Sequence, residues 1–123
     1  MDTEPEPPAL LAADVTPADV GAISAFLLPR IERQLLAHRP GSPEWRFAYA
    51  LESLLGEAAR TVRRHLELLA DGDGRDEPGR ADSLRAVRAG WNRLWEIVHP
   101  WQGDEAYDEA RWQPIDHLDA AER

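Results

Sequence analysis

Residues 42–71 read SPEWRFAYALESLLGEAARTVRRHLELLAD, and this stretch decides the fold. Ser42 is a capping residue, Pro43 suits a first helical position, and Glu44 favours the positive end of a helix dipole. Behind this start, Phe47, Leu51, Leu54, Leu55, Ala58, Val62, Leu66 and Leu69 recur at three- and four-residue spacing. The pattern predicts one amphipathic helix over 43–70, ended by Asp71-Gly72-Asp73-Gly74. A stripe that long needs other helices to cover it.

Both flanks supply them. Upstream, Thr16-Pro17-Ala18-Asp19 is a capping-box start, and Val20, Ile23, Leu27, Ile31, Leu35 and His38 fall on one face. This predicts a helix over 17–38, kinked near Ala25–Phe26 by Pro29 and stopped by Arg39-Pro40-Gly41. Downstream, the stretch Asp71 to Arg80 reads as a mobile polar loop. A third helix is expected over 81–99, with Leu84, Val87, Trp91, Leu94, Trp95 and Val98 on its apolar face and Pro100 closing it. Asp104 to Trp112 is expected to add a few helical turns. No run alternates with period two over a strand's length. The expected fold is all-α: a three-helix bundle with a short C-terminal helical element and acidic ends.

Charge divides the chain in the same way. Among 123 residues there are 23 acids and 14 bases, for a net charge of −9. Residues 1–20 sum to −5, residues 21–102 to +1, and residues 103–123 to −5. A nearly neutral body therefore lies between two acidic ends. The expected organisation is a disordered acidic, Pro-rich arm over 1–15, a helical domain over 16–115 and a flexible acidic tail over 116–123. Every base is arginine, so each basic position is a permanently charged planar fork. Cysteine is absent, which excludes disulfides, thiol catalysis and thiolate metal sites. No run reaches the roughly 18 apolar residues of a membrane span. The acidic N-terminus resembles neither a secretory signal nor a transit peptide, so a cytoplasmic protein is expected.

Candidate chemistry is sparse. Glu96 and His99 form a Glu-x-x-His step, which puts two metal-ligand side chains on adjacent turns of one helix. Carboxylate-bridged di-iron bundles use two such steps and two further glutamates. Only one is present, so a full site would require a dimer with Glu52 or Glu57 added, and a solvated Glu96 with a helix-terminal His99 is the plainer reading. His38 and His65 lie on apolar stripes and are expected to be hydrogen-bonded near the core. Asp71-Gly72-Asp73-Gly74 opens like a calcium loop, but its closing position reaches Asp82 and arginines intrude, so calcium is not expected.

Arg93 and His99, with Asn92 beside them, resemble the Arg and His that small helical ribonucleases of the HEPN type pair across a dimer. That resemblance implies a metal-independent ribonuclease, with His99 as acid–base and Arg93 stabilising charge on phosphorus. Leu94, where that pattern has a polar residue after the Arg, departs from it. Arg60, Arg63, Arg64, Arg85, Arg88 and Arg93 make a basic set, but the chain's own acids compete for it, so DNA binding is not expected.

Five tryptophans remain. Trp91 and Trp95 belong to the third helix's stripe, and Trp101 and Trp112 are expected to fold back over them. Trp45 and Tyr49 lie opposite Phe47 and Leu51 on the second helix, so the two sets do not share one core. With Arg46 beside them, Trp45 and Tyr49 are the residue types that dominate interface hot spots. The segment from Leu94 through His99-Pro100-Trp101 to Tyr107-Asp108-Glu109-Ala110-Arg111-Trp112-Gln113-Pro114 resembles the ending of a family of small helical proteins of high-GC bacteria. The resemblance covers about a third of the chain, departs from that family in the longer gap before Tyr107, and implies a helical fold while adding nothing about function. The sequence thus points to a non-enzymatic interaction or regulatory module with a protein partner or self-association, with no cofactor and no membrane. The alternative is the dimeric ribonuclease.

Overall fold

The computed structural model describes residues 10–71 and 77–123, and the chain is all-α. Three long helices follow one another: α1 (Pro17–Ala37), α2 (Pro43–Asp71) and α3 (Glu77–Val98). No strand occurs among the described residues. Short 3-10 turns lie at Ala12–Asp14, His99–Trp101 and Ala120–Glu122.

The starts of α1 and α2 follow from their caps. The Thr16 N–H donates to Asp19 Oδ2 at 2.8 Å, and the Asp19 N–H donates back to Thr16 Oγ1 at 3.2 Å. Two backbone donors without helical acceptors are thereby satisfied reciprocally. Ser42 does similar work for α2: its Oγ accepts from Trp45 N–H at 3.3 Å and its carbonyl from Arg46 N–H at 2.9 Å. Between the two helices, Gly41 turns the chain with φ +89°, a backbone that disfavours any side chain.

α1 itself runs unbroken from Pro17 to Ala37 with Pro29 inside it, close to the span of 17–38 expected from the sequence. Pro29 has no N–H to donate to the Ala25 carbonyl one turn back, and next to it the Arg30 guanidinium donates to the Phe26 carbonyl at 2.7 Å. Beyond α1, several expectations require correction. α3 begins at Glu77, inside the stretch expected to be a loop, because a glutamate and a proline both suit a first helical turn. Residues 72–76 of that loop, with most of the acidic arm, lie outside the described residues. The segment 104–112 forms turns, not a helix. Asp104 Oδ1 accepts from Ala106 N–H at 3.0 Å and Asp108 Oδ1 from Arg111 N–H at 3.1 Å, local bonds that compete with helical ones. Finally, Phe47 is 73% exposed, although it heads the apolar stripe read from the sequence.

One core joins the elements. Val20, Ile23, Leu27 and Ile31 of α1 meet Leu55, Ala58, Ala59 and Val62 of α2 and Leu84, Val87, Trp91, Leu94 and Val98 of α3. α2 packs along both other helices, whereas α1 and α3 touch each other little. The C-terminal segment fills that gap with Tyr107, Trp112 and Ile115. The Trp112 ring meets Phe26 of α1 at 5.1 Å and Tyr107 at 5.0 Å, both edge to face. Aromatic edges and faces carry opposite partial charge, which favours this arrangement.

Both ends of the described chain are tied in. Ala12 and Val15 are buried, within the span expected to belong to the arm. At the other end the Glu122 side chain, 1% exposed, pairs with Arg88 of α3, within the span expected to be a flexible tail. No helix is long and apolar enough to cross a membrane among the described residues.

Candidate functional site

The N-terminal turns of α2 carry an aromatic surface outside the core. Trp45 and Tyr49, one helical turn apart, stack with ring centroids 5.3 Å apart and planes inclined by 17°. Trp45 is half-buried, Tyr49 is 53% exposed and Arg46 is exposed beside them. Phe47 lies on another flank of the same helix, and Leu36, 89% exposed, stands in the last turn of α1 just before the connection. The buried residue in these turns is Ala48. Neither Trp45, Tyr49 nor Phe47 is therefore spent on the interior, and the aromatic surface is wider than the three residues read from the sequence.

Arg93 and His99 are not brought together by any hydrogen bond or ion pair among the described residues. Six residues of helix separate them, which turns their side chains about 120° apart. His99 sits where α3 tightens into its 3-10 turn. Its Nδ1 lies 3.2 Å from the Trp95 carbonyl and 3.0 Å from the Glu96 carbonyl, and its ring stacks on Trp95 at 4.4 Å. Helices end with unpaired carbonyls, and this imidazole supplies a donor for them. Trp95, expected in the core stripe, is half-buried in that stack. Asn92, expected as a polar neighbour of the pair, faces the C-terminal segment: its Oδ1 accepts from Ile115 N–H at 2.7 Å.

Glu96 is exposed, and no group of three or more metal-ligating side chains gathers among the described residues. His65 departs from expectation, since its Nδ1 is buried without a hydrogen-bond partner among those residues. Burial pushes the Tyr107 phenol above its ordinary value.

Arg93 belongs to a different feature, which sequence reasoning missed. A groove of about 350 Å³ runs between α2 and α3, lined by Leu54, Glu57, Ala58, Thr61, Ala86, Ala89, Gly90 and Arg93. At its floor the helices approach so closely that a Cβ on Gly90 would stand 2.6 Å from Val62 Cγ2. The signal was present in the small residues Ala86, Ala89 and Gly90 at three- and four-residue spacing, a face of α3 distinct from its large apolar stripe.

No protein-family model matches the chain, and no curated protein or solved structure is significantly similar to it.

Proposed function

We propose that the protein is a non-enzymatic interaction module of the cytoplasm: a three-helix bundle serving as a rigid scaffold that presents Trp45, Arg46 and Tyr49 to a protein partner. The observation that carries this reading is the stacked Trp45–Tyr49 pair, held on a capped helix end and left outside the core. Stacking fixes both rings before any partner arrives, so less side-chain freedom is lost on binding. Aromatic and arginine side chains then offer large contact area together with polar tips. The ribonuclease reading has less support, because His99 caps its own helix and Arg93 is turned away from it.

A photo-crosslinking residue at position 46 tests the proposal, with one at exposed Glu67 as control. A discrete adduct formed from position 46, absent from position 67 and lost in Tyr49→Ala, is the expected result. Equal labelling from both positions refutes it. Metal-free RNA cleavage abolished by His99→Ala would establish the ribonuclease instead.

A further inference from the structure

We infer that the α2–α3 groove is a self-recognition surface, closed in solution by the same groove of a second copy of this chain. Its composition is that of a helix-packing face left open. Ala58, Ala86, Ala89 and Gly90 keep its floor low, and Leu54, 39% exposed, rises from its α2 wall. Phe47 stands two turns before Leu54 on nearly the same side of α2, so one strip of that helix carries two large apolar side chains with no cover. Low floor and raised ridge occur in the same face, which lets a ridge of one copy enter the floor of another.

Charge selects a second copy over an unrelated partner. The walls carry one acid and one base, Glu57 on α2 and Arg93 on α3, and neither forms an ion pair among the described residues. A two-fold axis running along the groove brings α2 of each copy against α3 of the other. Glu57 then faces the partner's Arg93, and the same pair recurs on the other side of the axis. An isologous contact requires this kind of self-complementarity. A partner selected by a single sign of charge would meet one favourable and one unfavourable wall.

The high net charge of the chain does not oppose the pairing. Its acids are concentrated in the end segments, whereas residues 21–102 sum to +1. The acidic C-terminal segment docks through Arg88, Trp91 and Asn92, roughly 160° around α3 from the groove residues Ala86, Ala89, Gly90 and Arg93. Two near-neutral faces therefore meet, and the acidic C-terminal segment points away.

Charge reversal tests this without partner or ligand. Sedimentation velocity at up to about 100 μM, where a dimer of ordinary affinity is filled, is expected to show a dimer. Glu57→Arg places Arg against Arg twice and Arg93→Glu places Glu against Glu twice, so each variant alone is expected to dissociate about a hundredfold more readily. Mixed in equal amounts, the two variants form a heterodimer in which both pairs are complementary again, and the dimer returns. Rescue on mixing also shows that both variants fold. A monomeric wild type, variants that remain dimeric, or a mixture that stays monomeric overturns the inference. Trp45→Ala leaves the dimer intact; loss of the dimer in that variant alone assigns self-association to the aromatic surface instead.

Discussion

Asn92 and Ile115 exchange two hydrogen bonds: the Asn92 Nδ2 donates to the Ile115 carbonyl at 3.1 Å and its Oδ1 accepts the Ile115 N–H at 2.7 Å. A side-chain amide here does what a neighbouring strand does for an extended residue. From the residue just before Asn92, the Trp91 indole donates to the Gln113 carbonyl at 2.8 Å. Ile115 is buried, so its backbone groups have no easy recourse to water. Asn92→Ala is expected to cost roughly 1–3 kcal/mol, the penalty of leaving such groups unpaired. Urea denaturation followed by tryptophan fluorescence measures it. An unchanged midpoint would mean that the tail is held by its apolar side chains alone.

A second fastening responds to acid. Arg111 donates to Asp19 through Nε at 2.9 Å and Nη2 at 2.6 Å, and also to the Asp14 carbonyl. Burial raises the Asp19 pKa, but hydrogen bonds from Arg111 and Thr16 outweigh it, and the carboxyl is held below its ordinary value. The bond to Asp19 raises the Arg111 pKa in turn. A carboxyl lowered on folding stabilises the protein at every pH above its unfolded pKa, about 4, and loses that contribution as pH falls through the lower folded value. Stability is therefore expected to be flat in this contribution from neutrality to about pH 4 and to fall below it. Arg111→Gln lowers stability at neutral pH and shallows the acid decline. An acid titration followed by circular dichroism that has the same slope in both proteins contradicts this account.

The third fastening lies at the end of the chain. The Glu122 side chain is almost fully buried, that of Arg88 is partly exposed, and the two pair directly. Glu122 Oε2 also accepts the Asp119 N–H at 3.0 Å. Removing one partner of a buried pair strands the other, although water reaching Arg88 reduces the penalty. Glu122→Gln is expected to destabilise by about 1–3 kcal/mol. Amide exchange at residues 115–122 accelerates with it, while exchange in α2 does not. Uniform acceleration throughout would show that the tail unfolds only with the whole domain.

Much of the helical architecture was legible, and each misreading has a physical source. Thr16 with Asp19, Ser42 with Pro43, and the stripe Val20–Ile23–Leu27–Ile31 are local signals, and α1 and α2 start where they indicate. Near the start of α2, large side chains do not mark the interior, although their spacing predicts that they do. Where two helices approach closely, small residues do the burying, and Ala48, Ala58 and Ala59 outrank Phe47 and Leu54. The C-terminal segment was illegible for another reason. Its anchors bind the backbone of Gln113 and Ile115, and a backbone acceptor has no sequence signature. The candidate aromatic surface was legible in composition, since Trp45 and Tyr49 do stand outside the core, whereas the groove holding Arg93 depends on which face of α3 is left uncovered.

Gly90 provides the sharpest test of that close approach. In a helix interior alanine is favoured over glycine by about 1 kcal/mol, so propensity alone makes Gly90→Ala stabilising. Packing opposes it. The added Cβ would stand 2.6 Å from Val62 Cγ2 and 3.6 Å from the Ala58 carbonyl oxygen, and Val62 is fully buried and stiff about its first torsion. Relief requires α2 and α3 to separate, which loosens Leu55, Leu84 and Leu94 around them. Overpacking of this kind costs roughly 1–3 kcal/mol, so a net loss of stability is expected despite the better helix former. Val62→Ala alone opens a cavity and destabilises, but combined with Gly90→Ala it removes the clash. The double variant is therefore expected to be more stable than the two separate losses summed, a coupling that a thermal-denaturation double-mutant cycle detects. Strict additivity would mean that the helices do not meet at this glycine.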